Sequence, residues 1–211
     1  MKRDESPTSA MARKMWDGQY GREIYVYGKE PNDFLRAHVS ALPRGGEVLC
    51  LADGEGRNSV FLAEQGFTVT AVDISPAGVE KGRKLAAERG VDVTFVCADL
   101  AGYELGDARW DGIVSISCHL PPPIRQPLFA SIAAALRDGG VLLLEGYTPE
   151  QLRYGTGGPP LAEMMTSKET LLEELTGLDF SRLEELERDV VEGVNHSGLA
   201  AVVQAIASPA R

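Results

Sequence analysis

Short apolar runs alternate with amphipathic segments along most of the chain. Glu47 to Ala52 (EVLCLA) is a continuous apolar run, the pattern of a strand buried on both faces. Asn58 to Gln65 has helical spacing and stops at Gly66. Thr68 to Ile74 predicts a second strand, after which Ser75 and Pro76 supply an N-cap and first-turn proline for a helix running to about Arg89, with Gly90 as its stop. Third and fourth strands are predicted at Val93 to Cys97 and Gly112 to Ser117. Behind Pro121 to Pro123, Ile124, Leu128, Ile132 and Leu136 recur on one helical face. Gly139-Gly140 ends that helix before a fifth strand at Val141 to Glu145. Thr166 and Glu169 form a capping-box pattern for a helix ending near Gly177. Two further runs, Arg182 to Val191 and Leu199 to Ala207, flank a turn at Gly193 to Gly198 and predict a terminal β-hairpin.

Alternating strands and helices predict an α/β fold: a doubly wound, mainly parallel sheet between two helical layers. Ligands of such sheets bind at the carboxyl ends of the strands. The first strand ends in Asp53-Gly54-Glu55-Gly56-Arg57-Asn58, where glycines allow a sharp turn and close ligand approach, and the next helix offers free N–H groups. Asp73 ends the second strand and can accept both hydroxyls of a ribose, or serve as a helix N-terminal charge. Ala98-Asp99-Leu100 ends the third and can read an adenine edge, or be a solvated loop. Glycine, acid and acid on successive strand ends suit an adenosine without phosphates.

Charge narrows the choice. The 211 residues carry a formal net charge of −10, which disfavours a nucleic-acid substrate and leaves small molecules or proteins. No apolar run approaches the roughly 18 residues of a membrane span. Residues 1–10 read as a flexible polar tail without a signal-peptide core, and residues 11–211 as one domain. Cys50, Cys97 and Cys118 lack paired spacing, so a disulfide framework or zinc site is not expected and a reducing, cytoplasmic setting is. Cys50 and Cys97 are expected in the core, and Cys118 as a packed strand-end residue. No metal site is expected, and the oligomeric state is not legible.

A dinucleotide-binding domain would place a third glycine where Ser59 stands, and its pyrophosphate would face Asp53 and Glu55. An NAD(P)-dependent oxidoreductase is therefore the first alternative, and a non-catalytic nucleoside-binding module the second. From Glu47 to the terminal hairpin, the chain resembles the class I S-adenosylmethionine-dependent methyltransferases. The resemblance implies a Rossmann-like, three-layer α/β/α fold with a seven-stranded sheet of order 3-2-1-4-5-7-6, its last strand antiparallel. It also implies S-adenosyl-L-methionine as cofactor and S-adenosyl-L-homocysteine as product. Within that class, Trp16-Asp17-Gly18-Gln19-Tyr20, Tyr25-Val26-Tyr27-Gly28, Glu30-Pro31-Asn32 and Leu51 to Asn58 are similar to small bacterial methyltransferases of the tellurite-resistance and thiopurine type. The likeness implies a helical cap, residues 11–42, over the cofactor. Two positions depart from the class: Cys50 stands where an acid is usual and Ala52 where the first glycine is usual.

The expected cofactor contacts are Ala52, Asp53, Gly54, Gly56, Asn58, Asp73, Ile74, Ala98, Asp99, Leu100 and Ser115, with Tyr20 and Tyr27 from the cap. Asp53 and Glu55 would also favour the sulfonium by their field. His119, just past the fourth strand, is the candidate for orienting substrate or acting as general base, or else a loop histidine bonded to a carbonyl. The Gly- and Pro-rich stretch Gly146 to Met165 is a candidate lid or a mobile loop, with Tyr147 and Tyr154 as substrate contacts. Trp16 and His196 complete the substrate set, His196 being placed in the hairpin turn, where solvation is the simpler reading. The expected acceptor is a small molecule, with a thiol or a selenium or tellurium oxyanion as candidates, methylated by in-line displacement.

Overall fold

The computed structural model describes residues 7–210, so the polar start of the chain up to residue 6 lies outside the described residues. Helix α1 spans Pro7–Tyr20, which makes residues 7–10 the first turns of a helix. A short helix α2, Asp33–His38, follows; Asn32 caps it by accepting a hydrogen bond from the Leu35 N–H.

Strand β1 (Glu47–Leu51) leads into α3 (Arg57–Glu64), β2 (Thr68–Asp73), α4 (Pro76–Arg89) and β3 (Thr94–Cys97). Then come β4 (Trp110–Ile116), α5 (Pro122–Ala135), β5 (Leu136–Tyr147), α6 (Lys168–Glu174), β6 (Leu178–Glu192) and β7 (His196–Pro209). The sheet order is β3-β2-β1-β4-β5-β7-β6. Strands β1 to β5 run parallel, whereas β7 is antiparallel to both β5 and β6.

Strand periodicity divides the core between the two faces of the sheet. Leu49 and Leu51 of β1 join Ile113, Leu142, Leu128 and Ile132 on one side, while Val48 and Cys50 join Val69, Ala71, Leu62 and Leu35 on the other. Helix α4 begins where the sequence predicts: the Ser75 hydroxyl accepts from the Gly78 N–H, Pro76 opens the first turn, and Gly90 closes the helix at φ 69°. The cap of α6 differs from expectation. Ser167, not Thr166, accepts from the Thr170 N–H, while the Thr166 N–H is held by the Tyr147 carbonyl.

Two further expectations are corrected. Cys97 is exposed, because β3 is an edge strand and its end lacks a covering neighbour. The terminal hairpin is longer than predicted, with Glu192 still paired to His196, so His196 is the first residue of β7 and is buried. Pairing of β5 with β7 ends at Tyr147 and Val202, so the hairpin projects past the carboxyl ends of the central strands. Its tip meets the N-terminal region, where Val194 N–H donates to the Val26 carbonyl at 2.9 Å.

The stretch from Gly146 to Met165 is anchored at Gln151 and Met165, while Leu152 and Leu161 stay exposed. It contains two 3-10 turns, and Gln151, 1% exposed, accepts from the Ala201 N–H. Among the described residues no helix is long and apolar enough to cross a membrane.

Candidate functional site

Sheet order reverses between β1 and β4, the point at which doubly wound sheets form their ligand crevice beyond the carboxyl ends of the strands. The loop after β1 lies at this point with Ala52, Gly54 and Gly56 all at positive φ (49°, 62° and 90°). Ala52 thus adopts the backbone of the glycine it replaces, a conformation costing a non-glycine residue about 1–2 kcal/mol. Ala52→Gly relieves that strain and loosens the unfolded chain by about 0.4–1 kcal/mol. Urea unfolding should therefore show a stability unchanged or raised by up to about 1 kcal/mol; a clear loss would show that the Ala52 methyl has a packing role that outweighs its backbone strain.

Asp73, at the end of β2, holds this loop. Its Oδ2 accepts from the Gly54 N–H and its Oδ1 from the Ser75 N–H, both at 2.8 Å. Burial, with the nearby Asp17 charge, pushes its carboxyl up to about 6 against these hydrogen bonds. A carboxylate has about four acceptor positions; Gly54, Ser75 and Ile74 take three, so one remains for a hydroxyl donor.

Asp53 has turned away from the crevice. It accepts from both the hydroxyl and the N–H of Ser59 in α3, and burial lifts its carboxyl to about 7 while Ser59 opposes the rise. Ser59 in the third-glycine position therefore acts as the anchor of Asp53. The folded protein binds this proton more tightly than the unfolded chain. Asp53 thus stabilises the fold fully below about 4, and that contribution is lost as pH rises through about 7. Asp53→Asn should flatten this part of a stability-versus-pH curve; an unchanged slope would remove Asp53 as its source.

Glu55 is also committed elsewhere. It accepts from the Val26 and Tyr27 N–H groups and pairs with Lys81 at 2.8 Å, fastening residues 24–27 to α4. Asn58 accepts from the Asn32 N–H at 3.0 Å and does the same for the entry to α2. The expected direct action of Asp53 and Glu55 on a sulfonium gives way to loop and cap fastening.

The cap reaches the glycine loop through α1. Asp17 accepts from Ser75 and from the Ala77 N–H, and a Cβ on Gly54 would lie 2.7 Å from the Tyr20 hydroxyl. Trp16 stacks on Tyr20 at 5.3 Å, and Tyr27 lies edge-on to Tyr20 at 6.3 Å. The row of rings continues over the strand ends. His196 packs on Tyr27 at 4.5 Å and on Tyr147 at 5.1 Å, and His119 lies parallel to Tyr147 at 5.4 Å. Six residues distant in sequence thus form one aromatic file. Tyr154 stands outside it, bonding to Glu187 of β6 on the surface.

His119 is a ring in this file rather than a ready base. Burial, then the neighbouring His196, lowers its imidazole to about 3, and its Nε2 is buried without a partner. Cys118 is buried and its thiol is pushed up to about 12, against a nucleophilic role. Ser115 is its bonding partner on β4. At the third strand end Leu100 joins the core, the Ala98 N–H donates to the Asp73 carbonyl, and Asp99 accepts from the Ala101 N–H as a turn former. Ile74 contributes a backbone hydrogen bond to Asp73.

Sequence reasoning passed over a buried ionic cluster beside the file. Glu145 of β5 accepts from Asn32, Arg188 and Gln204; Glu192 of β6 accepts from Asn32 and from Arg57 at 2.7 Å. Two arginines thus face two glutamates. The available signal was the period-two inward placement of Arg188, Val190 and Glu192 on β6. Among the described residues no group of His, Cys, Asp and Glu is arranged to hold a metal.

The donor set fits S-adenosyl-L-methionine. The loop passes at positive φ beneath the Tyr20 hydroxyl at Gly54, the Asp73 carboxylate keeps an acceptor position, and no cation that would suit a pyrophosphate bonds to it. Asp73, Gly54 and the N-terminus of α3 would hold the nucleoside and methionine parts.

Residues 48–140 match the family described as "Methyltransferase domain". The 2-heptyl-1-hydroxyquinolin-4(1H)-one methyltransferase of Mycobacteroides abscessus is 30% identical over 139 residues, 65% of this chain and 52% of that protein. The ubiquinone biosynthesis O-methyltransferase of Xanthomonas axonopodis pv. citri is 28% identical over 139 residues, 64% of this chain and 57% of its own. The chain therefore spans little more than half the length of these curated relatives. In fold, a TehB-like S-adenosylmethionine-dependent methyltransferase from Corynebacterium glutamicum matches with a TM-score of 0.61 and 20% identity, over 96% of this chain and 98% of that one. Sheet order, glycine loop and matched segment agree: residues 48–140 match a methyltransferase domain, and the chain has the fold of S-adenosylmethionine-dependent methyltransferases.

Proposed function

We propose that the protein transfers a methyl group from S-adenosyl-L-methionine to an oxygen of a planar small molecule. The observation that carries this reading is the aromatic file at the strand ends, from Trp16 through Tyr27, His196 and Tyr147 to His119. Its ring faces suit a flat acceptor sliding between the cap and the sheet. The two relatives named above, one for a hydroxyquinolinone and one for an O-methylation, support an oxygen acceptor.

A metalloid oxyanion is the weaker fit, because Arg57 and Arg188 are already paired with Glu192 and Glu145 and leave no net positive charge for it. The net charge of −10 likewise favours a small molecule over nucleic acid, although a 23S rRNA methyltransferase of Pyrococcus abyssi is 34% identical over 97 residues.

In this reading the cofactor supplies an electrophilic methyl carbon. Asp73 and the loop backbone bind and orient the nucleoside. Trp16, Tyr20 and Tyr27 exclude water, and Tyr147 and His119 align the acceptor. Residues 11–42 act as the cap.

Calorimetry with S-adenosyl-L-homocysteine and NAD, followed by a methylation screen of hydroxyquinolones, catechols, thiols, amines and tellurite, tests it. Homocysteine-analogue binding with turnover on the hydroxylated rings is expected. Binding of NAD alone, or turnover confined to thiols or tellurite, would overturn it.

A further inference from the structure

His196 is buried at 6% exposure and faces a carboxylate, whereas His119 bonds to the Met164 backbone and leaves its Nε2 unpartnered. Its Nδ1 faces Glu192 Oε2 at 3.5 Å across the end of the β6–β7 hairpin. Among the described residues it is the one histidine so placed beside a carboxylate. Glu192 itself is over-determined. Oε2 also takes the Arg57 guanidinium at 2.7 Å, and Oε1 takes Asn32 at 2.7 Å, with Arg188 at 3.6 Å. Burial alone would raise this carboxyl, but His196, Arg57 and Asn32 outweigh it and hold it well below the usual range. Arg57, Asn32 and Arg188 thus surround Glu192 as they would an anion, and an imidazole that turns its Nδ1–H to an anion presents Nε2 as the nitrogen that accepts a proton. The ring sits midway along the aromatic file, between Tyr27 and Tyr147.

We infer that Glu192 and His196 form a general-base pair, with His196 as the catalytic residue and Glu192 as its positioning residue, for acceptors whose hydroxyl is not ionised in solution. This rests on the methyl-transfer reading above. The acceptor O–H gives its proton to His196 Nε2. The oxygen's electron pair forms the bond to the methyl carbon as the carbon–sulfur bond breaks, its pair returning to sulfur. The imidazolium, stabilised by Glu192, then releases its proton to water. Arg57, Asn32 and Arg188 keep Glu192 in place and ionised. Tyr27 from the cap, Tyr147 from β5 and His119 behind it are the other titratable groups facing the ring, and none is a carboxylate that would compete for Nδ1.

Two measurements test the pair. Imidazole nitrogen NMR on the cofactor-free protein should find the Nδ1–H tautomer at His196, with its share reduced in Glu192→Gln. The Nε2–H tautomer in the wild-type protein, or a tautomer share unmoved by Glu192→Gln, would overturn the inference. In turnover assays, His196→Gln should lower kcat by about 100-fold or more on hydroxyls that are neutral at pH 7. The loss should shrink steadily across acceptors of increasing acidity, such as catechol against 4-nitrocatechol, and S-adenosyl-L-homocysteine affinity should stay within about twofold. An equal loss on all acceptors would mark His196 as structural and overturn the inference. Homocysteine-analogue binding with no turnover on any acceptor would instead overturn the methyl-transfer reading on which it rests.

Discussion

Arg125→Met should lower the unfolding free energy by about 3–5 kcal/mol, the largest effect expected of a substitution outside the crevice. Arg125 lies on α5 at 4% exposure. Its Nε and Nη2 donate to the two oxygens of Glu174 on α6, at 2.8 and 2.9 Å. Its Nη1 donates to the carbonyls of Leu120 and Glu163, at 3.2 and 2.7 Å. One side chain thus joins the loop after β4, helix α5, the 3-10 turn before Met165 and helix α6. Methionine fills similar space but leaves the Glu174 carboxylate buried without its counter-charge, together with two unpaired carbonyls. That uncompensated charge, rather than the lost attraction, is the main cost. Adding Glu174→Leu should therefore recover most of the stability, since a packed apolar pair can replace a buried ion pair at little cost. Urea denaturation of the single and double variants would check both statements. A single-variant loss below about 1 kcal/mol, or a double variant no better than the single, would show that the pair is not what holds these elements together.

Asp73→Asn should weaken S-adenosyl-L-homocysteine binding by about 1–3 kcal/mol, roughly five- to 150-fold, measured by calorimetry at pH 8. The amide keeps one acceptor for the loop but loses the charge and the acceptor position left for a ribose hydroxyl. The same residue sets the pH dependence. Because burial places the free carboxyl at about 6, its ionised form is complete at pH 8 and is lost as the pH falls through 6. Cofactor affinity should then drop towards a tenfold loss per pH unit below that point, and Asp73→Asn should remove the dependence. Equal affinity at pH 5 and pH 8 in the wild-type protein would assign ribose recognition to another group.

Much of this was legible in the residues themselves. Continuous apolar runs from Glu47, Thr68 and Val141 belong to strands covered on both faces, and nothing but a parallel sheet buries them so. Ser75-Pro76 and Gly90 mark α4 through local chemistry alone. Asp73 is set by its position at a strand end, so its place beside Gly54 follows once the sheet order is known. Orientation within a loop is less legible. Asp53, Gly54, Glu55 and Asn58 all lie in or beside the turn, but Asp53 faces Ser59, Glu55 faces the cap and Asn58 faces Asn32. Each is satisfied by a partner brought in by tertiary folding.

The hairpin shows the limit most clearly. Gly193 to Gly198 has the composition of a turn, yet pairing persists to Glu192 and His196 because the tip is held by the Val26 carbonyl. That contact turns a solvated loop histidine into a buried one beside a carboxylate. The ionic cluster is of the same kind: Asn32 meets Glu145 and Glu192 across 113 and 160 residues, and Arg57 meets Glu192 across 135.

The sequence by itself determined the sheet, the helices between its strands and the glycine loop at the strand ends, since these follow from periodicity and backbone chemistry over short distances. Only the tertiary structure decided which acids face the crevice, that six aromatic residues form one file, and which histidine has a carboxylate. Those depend on where distant segments stop against one another, and burial then sets the charge state of each group.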